Sequence, residues 1–201
     1  MITVQIASIP ERENLLQNTI ESLYGQADQI NVFLNGYKYK PYFLLRKGIS
    51  CKILDNSTGD SAKFYKVEKL KGYIFTCDDD IIYPSTYVSD TIKRIHKYNK
   101  GALITYHGKK FINKPVEDYY NSEQKKYSFL RELKIDTEVN ICGTGVSAFH
   151  SDCLNVKYSD FNIKNMTDIH LSRLCKTQNV SIICANHKED YFKYQNPTIT
   201  I

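Results

Sequence analysis

Gly72-Tyr73-Ile74-Phe75-Thr76-Cys77-Asp78-Asp79-Asp80-Ile81-Ile82-Tyr83-Pro84 is the stretch whose reading decides the fold. Its first half, rich in Tyr, Ile and Phe, has the length and composition of a buried strand, and it ends in three consecutive carboxylates. Apolar residues resume at Ile81 and Ile82, so the acids are set into the edge of the core rather than into a solvated charge run. Three unpaired carboxylates there would repel one another and suffer desolvation. A divalent cation relieves both, because hard oxygen ligands suit Mg²⁺ or Mn²⁺. The triplet is therefore expected to be a metal site, with helix capping as its plain alternative.

Outward from this stretch, the chain alternates strands and helices. Ile2 to Ile9 reads as a first strand closed by Pro10, and Glu11 to Gly25 as a helix with Leu15, Leu16, Thr19, Ile20 and Leu23 at helical spacing. Ile30 to Leu34 and Ile49 to Leu54 read as the next two strands, the first ended by Asn35-Gly36. A helix is expected from Asp60 or Ser61 to about Leu70, and another after Ser85, as N-cap, through His96. Ala102 to Tyr106 reads as a fifth strand. Lys109 to Lys126 has no clean period and reads as a long functional loop or an excursion over the sheet. Ile141 to His150 reads as one strand carrying Gly143 and Gly145, Asp168 to Lys176 as a helix capped by Thr167, and Val180 to Ala185 as a last strand before a polar aromatic tail. This alternation predicts an α/β fold with a mostly parallel central sheet flanked by helices. Ligands of such sheets bind outside the carboxyl ends of the strands, where Ser8 to Pro10, Asn35-Gly36, Asp55 to Asp60 and the triplet would gather.

With 201 residues, 42% apolar and 24% charged, the chain has the composition of a globular protein with a sizeable core. The formal charge of +5 is modest and scattered, favouring anionic ligands such as phosphates, or weak contact with an acidic membrane surface, over nucleic acid. Tyrosine is frequent, at 16 residues, which suits sugar or nucleotide grooves and equally suits a coding bias. The six cysteines show no C-x-x-C spacing, and several sit in apolar runs where a thiol acts as a small hydrophobe. No signal peptide and no apolar window long enough for a membrane helix is read, so a reducing cytoplasmic location is expected.

The order of motifs resembles the GT-A glycosyltransferases, above all the inverting family-2-like enzymes and their viral and bacterial surface-glycan relatives, chlorella-virus capsid-glycan domains among them. The resemblance rests on the Ser-Ile-Pro-Glu-Arg turn after the first strand, the Asp-Ser-Ala-Lys segment, the triplet as a DXD motif followed by Tyr-Pro, the Gly-Thr-Gly strand and an acid opening a late helix. It implies a single Rossmann-like GT-A domain over 1–201, with a nucleotide-sugar-binding half at about 1–107 and, at about 108–201, an acceptor-binding half carrying a smaller sheet. It further implies a Mn²⁺ or Mg²⁺ cofactor, a nucleotide-sugar donor (UDP-sugar favoured, GDP-sugar possible) and a glycan or glycoprotein acceptor. Work at a membrane surface, or in host cytoplasm if the source is viral, would follow.

Residue by residue, the resemblance puts Asp80 on the metal and Asp78 on the metal or the ribose, with Asp79 between them either bridging toward the nucleotide sugar or turned away. Ser8, Pro10 and Arg12 would meet the base and ribose, although an ordinary strand-to-helix turn explains them too. Asp55 and Asp60 would face the base or ribose, or form Asx turns or a cap. Lys63 in a first helical turn is disfavoured by the helix dipole, so its position asks for an anionic partner such as a diphosphate. Asp168 takes the place of the general base, with Thr167 where the family has Glu; a dipole-favoured acid is its alternative. His187 would complete the metal shell or be an ordinary histidine. Gly143, Thr144 and Gly145 would form acceptor-side backbone or mark a bulge. Other readings of the same carboxylates are a nucleotidyltransferase, which the missing Gly-rich first loop disfavours, and a non-catalytic nucleotide- or glycan-binding module.

Overall fold

The computed structural model describes residues 1–113, 115, 116, 118, 119 and 121–197. The β-branched and aromatic runs form strands at Ile2–Ser8 (β1), Gln29–Asn35 (β2), Ile49–Leu54 (β3), Tyr73–Asp78 (β4), Ile81–Ile82 (β5), Ala102–Thr105 (β6) and Gly108–Phe111 (β7). They continue at Gln124–Tyr127 (β8), Thr137–Val139 (β9), Ile141–Cys142 (β10), Val146–His150 (β11), Ser181–Cys184 (β12) and Lys193–Tyr194 (β13). Helices span Glu13–Leu23 (α1), Tyr87–Lys97 (α2) and Thr167–Thr177 (α3).

Among the described residues the main sheet has eight strands in the order β3-β2-β1-β4-β11-β6-β12-β9. β3, β2, β1 and β4 are parallel, as are β6 and β12. β11 runs antiparallel to both β4 and β6, and β9 antiparallel to β12. The expected mostly parallel α/β sheet flanked by helices is present, and both halves of the chain contribute strands to it.

The two faces carry separate apolar clusters. On one, Leu16, Ile20 and Leu23 of α1 and Val88 and Ile95 of α2 pack on Val4, Ile6, Phe75 and Ile104. On the other, Leu171 and Cys175 of α3 join Phe64, Val67, Ile74 and Leu103. Tyr83, Tyr87 and Tyr106 are buried with Phe192 in a cluster of ring contacts, so a share of the tyrosines is core material. All six cysteines are free thiols. Among the described residues no helix is long and apolar enough to cross a membrane.

Several expectations change. The helix expected from Asp60 to Leu70 is two 3-10 turns, Gly59–Phe64 and Val67–Lys69, parted by Lys66 in the left-handed region at φ 57. Ser61 to Phe64 are four consecutive buried residues, which leaves no solvent face of the kind an amphipathic α-helix presents, and left-handed Lys66 ends the run. The expected loop from Lys109 to Lys126 holds an antiparallel hairpin of β7 and β8, extended by β10; its positions 114, 117 and 120 lie outside the described residues. The strand read across Ile141 to His150 breaks at Gly143-Thr144-Gly145, so that β10 joins the hairpin and β11 joins the main sheet. Ser85 does not cap α2; Thr86 occupies that position, without a side-chain cap. Met166, not Thr167, precedes α3.

Candidate active site

β4 delivers Asp78 at its last position, and Asp79 and Asp80 form the turn into β5. Asp79 is fully buried and Asp80 nearly so, whereas the Asp78 side chain is 40% exposed. The charges are already partnered. Arg12, at the end of the 3-10 turn Pro10–Arg12 and itself buried, donates from Nη1 to Asp79 Oδ1 at 2.7 Å and to Asp80 Oδ2 at 3.1 Å. Lys63 Nζ donates to Asp78 Oδ1, and its side chain is only 3% exposed. The expectation of three unpaired carboxylates is thus corrected. The anionic partner that Lys63 asks for is Asp78, and Arg12 is a buried counter-ion of the triplet.

Desolvation still dominates the titration. Burial, with the neighbouring Asp78 and Asp79 charges, pushes the Asp80 carboxyl up to about 7 against the pull of Arg12. Burial likewise raises Asp79, against Ser8 and Arg12. For Lys63, burial disfavours the charge, but Asp78 and Asp60 outweigh it and its pKa is raised.

A further carboxylate arrives from the opposite side. Asp168, in the first turn of α3, accepts at Oδ1 from Thr144 N and Thr144 Oγ1, both at 2.8 Å. Burial raises its pKa, partly offset by the Thr144 hydrogen bonds. Thr167 Oγ1 donates to Asp60 Oδ2 and lies 3.0 Å from Thr144 Oγ1, tying the turn after β3 to the start of α3.

Gly145 is required by close approach, because a Cβ there would overlap Asp78 Oδ2. Its carbonyl accepts from Asp78 N at 3.2 Å and from the Tyr83 hydroxyl, so Tyr83 and the Gly-Thr-Gly turn jointly fix the end of β4.

These elements enclose a cleft of about 310 Å³, lined by Arg12, Asp60, Lys63, Asp78, Asp80 and Asp168, with Tyr119, Thr144, Asn165, Met166, Thr167 and Ile169. It lies beyond the carboxyl ends of β1, β3 and β4, as an α/β sheet dictates. The structure brings together the expected Arg12, Asp60, Lys63, Asp78, Asp80, Thr144 and Asp168. Asp79 is behind them in the core. Ser8 is fully buried, 3.4 Å from the Tyr37 hydroxyl, and Pro10 is exposed at the start of its turn. Asp55 is exposed in an Asx turn that accepts from Ser57 N at 3.0 Å. Gly143 packs against His107. His187 is not among the lining residues: its Nδ1 is 2.7 Å from Ala185 O, its Nε2 is 3.3 Å from Ser128 O, and its ring contacts Tyr106 and Phe192.

Sequence reasoning misses Tyr83, Thr19 and Gln195 as supports of this site. Thr19 Oγ1 donates to Asp79 O and Ile81 O at 2.9 and 2.8 Å. Gln195 N donates to Asp80 O at 2.9 Å, where β13 pairs with β5. Only Tyr83 carries a sequence signal, as the Tyr-Pro after the triplet. Among the described residues no group of three or more His, Cys, Asp or Glu is arranged to hold a metal ion.

No family model and no curated protein matches the chain. One solved structure, described as "Crystal Structure of a Mycobacterial Protein", aligns with a TM-score of 0.41 at 13% identity over 52% of this chain. The aligned part spans 39% of that structure's own chain.

Proposed function

We propose that the chain is a metal-dependent glycosyltransferase of GT-A type, moving a sugar from a nucleotide-diphosphate donor, a UDP-sugar in the first instance, to a glycan hydroxyl with inversion. The observation that carries this reading is one cleft in which strand-end carboxylates, Asp78 and Asp80, meet a separately held buried carboxylate, Asp168. Two carboxylate environments in one cleft suit two roles, one toward a leaving diphosphate and one toward an acceptor proton.

The residues present fit a hard divalent cation. Carboxylate oxygens are its preferred donors, and Asp60 Oδ1, buried in the cleft lining, lacks a hydrogen-bond partner among the described residues. Mg²⁺ at nucleotide sites commonly takes only one or two protein carboxylates, so a cage of three is not needed. Asp78 and Asp80 would hold the ion, which when bound neutralises the departing diphosphate. Asp168 takes the proton from the acceptor hydroxyl. The acceptor oxygen then bonds to the anomeric carbon as the carbon–oxygen bond to the diphosphate breaks, its electron pair leaving with the phosphate. Burial raises the pKa of Asp168, which makes it a stronger base once ionised, and Thr144 fixes its orientation. Arg12 and Lys63 hold the triplet in place.

Thermal shift with UDP and GDP, each with and without Mn²⁺, tests this. Stabilisation that requires both nucleotide and metal, and that disappears in Asp80→Asn, is expected. Asp168→Asn should keep that stabilisation and lose release of UDP from a UDP-sugar in the presence of acceptor. Failure of every nucleotide to stabilise the protein in Mn²⁺ would sink the reading, and pyrophosphate release from nucleoside triphosphates would replace it with a nucleotidyltransferase.

A further inference from the structure

The β2–β3 connection carries an unusual charge pattern. No Asp or Glu occurs between Gln29 and Leu54, while Lys38, Lys40, Arg46, Lys47 and Lys52 all do. Within it the 3-10 turn Tyr42–Leu44 sorts its side chains by the three-residue period. Pro41 and Leu44, three apart, are buried and anchor the turn, as does buried Tyr37, whose hydroxyl donates to Ile9 O at 2.9 Å. Tyr42 and Leu45, also three apart, share the opposite side and are 88% and 63% exposed. Lys40 precedes the pair and Lys47 follows it, both exposed, and Lys38 stands exposed beside Tyr39, itself 60% exposed.

The neighbouring acids are engaged. Glu13 accepts from the Tyr39 hydroxyl at 2.8 Å, Glu21 pairs with Arg46, and Asp28 accepts from Ile2 N at 2.7 Å. Arg46 also lies 5.3 Å from the centre of the Tyr24 ring. Lys38, Lys40 and Lys47 have no carboxylate partner among the described residues.

We propose that this turn is a peripheral membrane-docking site, with Tyr42 and Leu45 entering the interface and Lys38, Lys40 and Lys47 meeting anionic lipid headgroups. The proposal is independent of the transferase reading. Charge complementarity selects the occupant: three lysines without a carboxylate partner among the described residues, which with Arg46 outnumber the neighbouring Glu13 and Glu21, flank a tyrosine and a leucine and match an anionic lipid surface, where Tyr favours the headgroup level and lysines are attracted to negative charge. An acidic protein or a nucleic acid would use the lysines but leave a leucine and an aliphatic turn in contact with charge. Because core residues hold the turn, the two apolar side chains are presented without prior ordering.

Flotation with vesicles of phosphatidylcholine, alone or mixed with phosphatidylserine, tests the proposal. The chain should float with the mixed vesicles at low salt, not with phosphatidylcholine alone, and less as salt rises. The triple variant Lys38→Gln/Lys40→Gln/Lys47→Gln should lose on the order of 100-fold in affinity, about fivefold per lysine. Tyr42→Ser/Leu45→Ser should lose roughly tenfold or more. These exposed positions leave the fold intact, which thermal unfolding verifies. The chain contains no tryptophan, so Tyr42→Trp supplies a single reporter whose emission should shift to the blue with mixed vesicles, while Ile163→Trp, in another exposed loop, stays unshifted. Absence of flotation by the wild type, or equal flotation of both variants, overturns the proposal. So does binding of an oligonucleotide or acidic peptide that needs the lysines but is indifferent to Tyr42 and Leu45, in the absence of vesicle binding.

Discussion

Arg12 and Lys63 on the cleft side, and Lys38, Lys40 and Lys47 on the β2–β3 flank, are the same kinds of side chain in opposite surroundings. The first two are buried and each faces a carboxylate; the other three are exposed and face none among the described residues. Removing a buried partner strands a charge in a poor solvent, whereas removing an exposed lysine returns its site to water. The cleft cations are therefore part of the structure, and the flank cations are available to something outside it.

The largest expected effect follows from that contrast. Arg12→Ala leaves Asp79, fully buried, without its 2.7 Å partner, and should cost about 3–5 kcal/mol. Lys40→Ala should barely move stability, as surface substitutions do. Urea unfolding of both variants measures the difference, and equal losses would dissolve the distinction between the two regions.

The next effect is the pH dependence of the metal-free protein. Asp80 titrates at about 7 in the fold against an ordinary 3.8, so the folded state binds its proton more tightly than the unfolded chain does. Its contribution is fully present below about pH 4 and is lost as the pH rises through about 7. Between these limits stability should fall with pH at no more than about 1.4 kcal/mol per unit for this one proton. Asp80→Asn should remove its share of that slope and leave those of Asp79 and Asp168, whose pKa values burial also raises. A wild-type profile that rises across that window, with the Asp80→Asn variant following the same course, contradicts the buried carboxylate cluster.

A smaller effect is purely steric. Gly145→Ala drives a methyl into Asp78 Oδ2 and must displace the carboxylate from Lys63. A loss of roughly 1–3 kcal/mol is expected, together with loss of metal-dependent stabilisation by nucleotide. Retention of both would show that Asp78 is held less firmly than its contacts indicate.

Sequence patterning reaches the parts of this molecule whose causes are local. β3 spans Ile49–Leu54 as its composition predicts, and β4 differs only in ending at Asp78. The orientation of β11 is beyond it, because an apolar run does not encode the direction in which it pairs. The Arg12–Asp79 pair joins positions 67 apart, and Thr167 with Asp60 positions 107 apart, so nothing in either neighbourhood announces them. The triplet stands out in the sequence as an excess of acid, but its neutralisation lies in distant residues, Arg12 and Lys63, which the fold pairs with it. In the segment Tyr42-Phe43-Leu44-Leu45 composition suggests uniform burial, and only the 3-10 geometry separates buried Leu44 from exposed Leu45.

Salt provides the finest discrimination between the two environments. Arg46 and Glu21 form an ion pair with side chains 33% and 49% exposed, against 7% and 0% for Arg12 and Asp79. Mobile ions screen the first pair and hardly reach the second. Arg46→Ala should produce a change near the limit of measurement at low salt, and that change should vanish when salt is raised. The Arg12→Ala loss should persist at both salt concentrations, because its cost is an uncompensated buried carboxylate rather than a screened attraction. If the Arg12→Ala loss also vanished at high salt, the cleft would be as open to solvent as the flank, and Asp80 could not then be held at its raised pKa by burial.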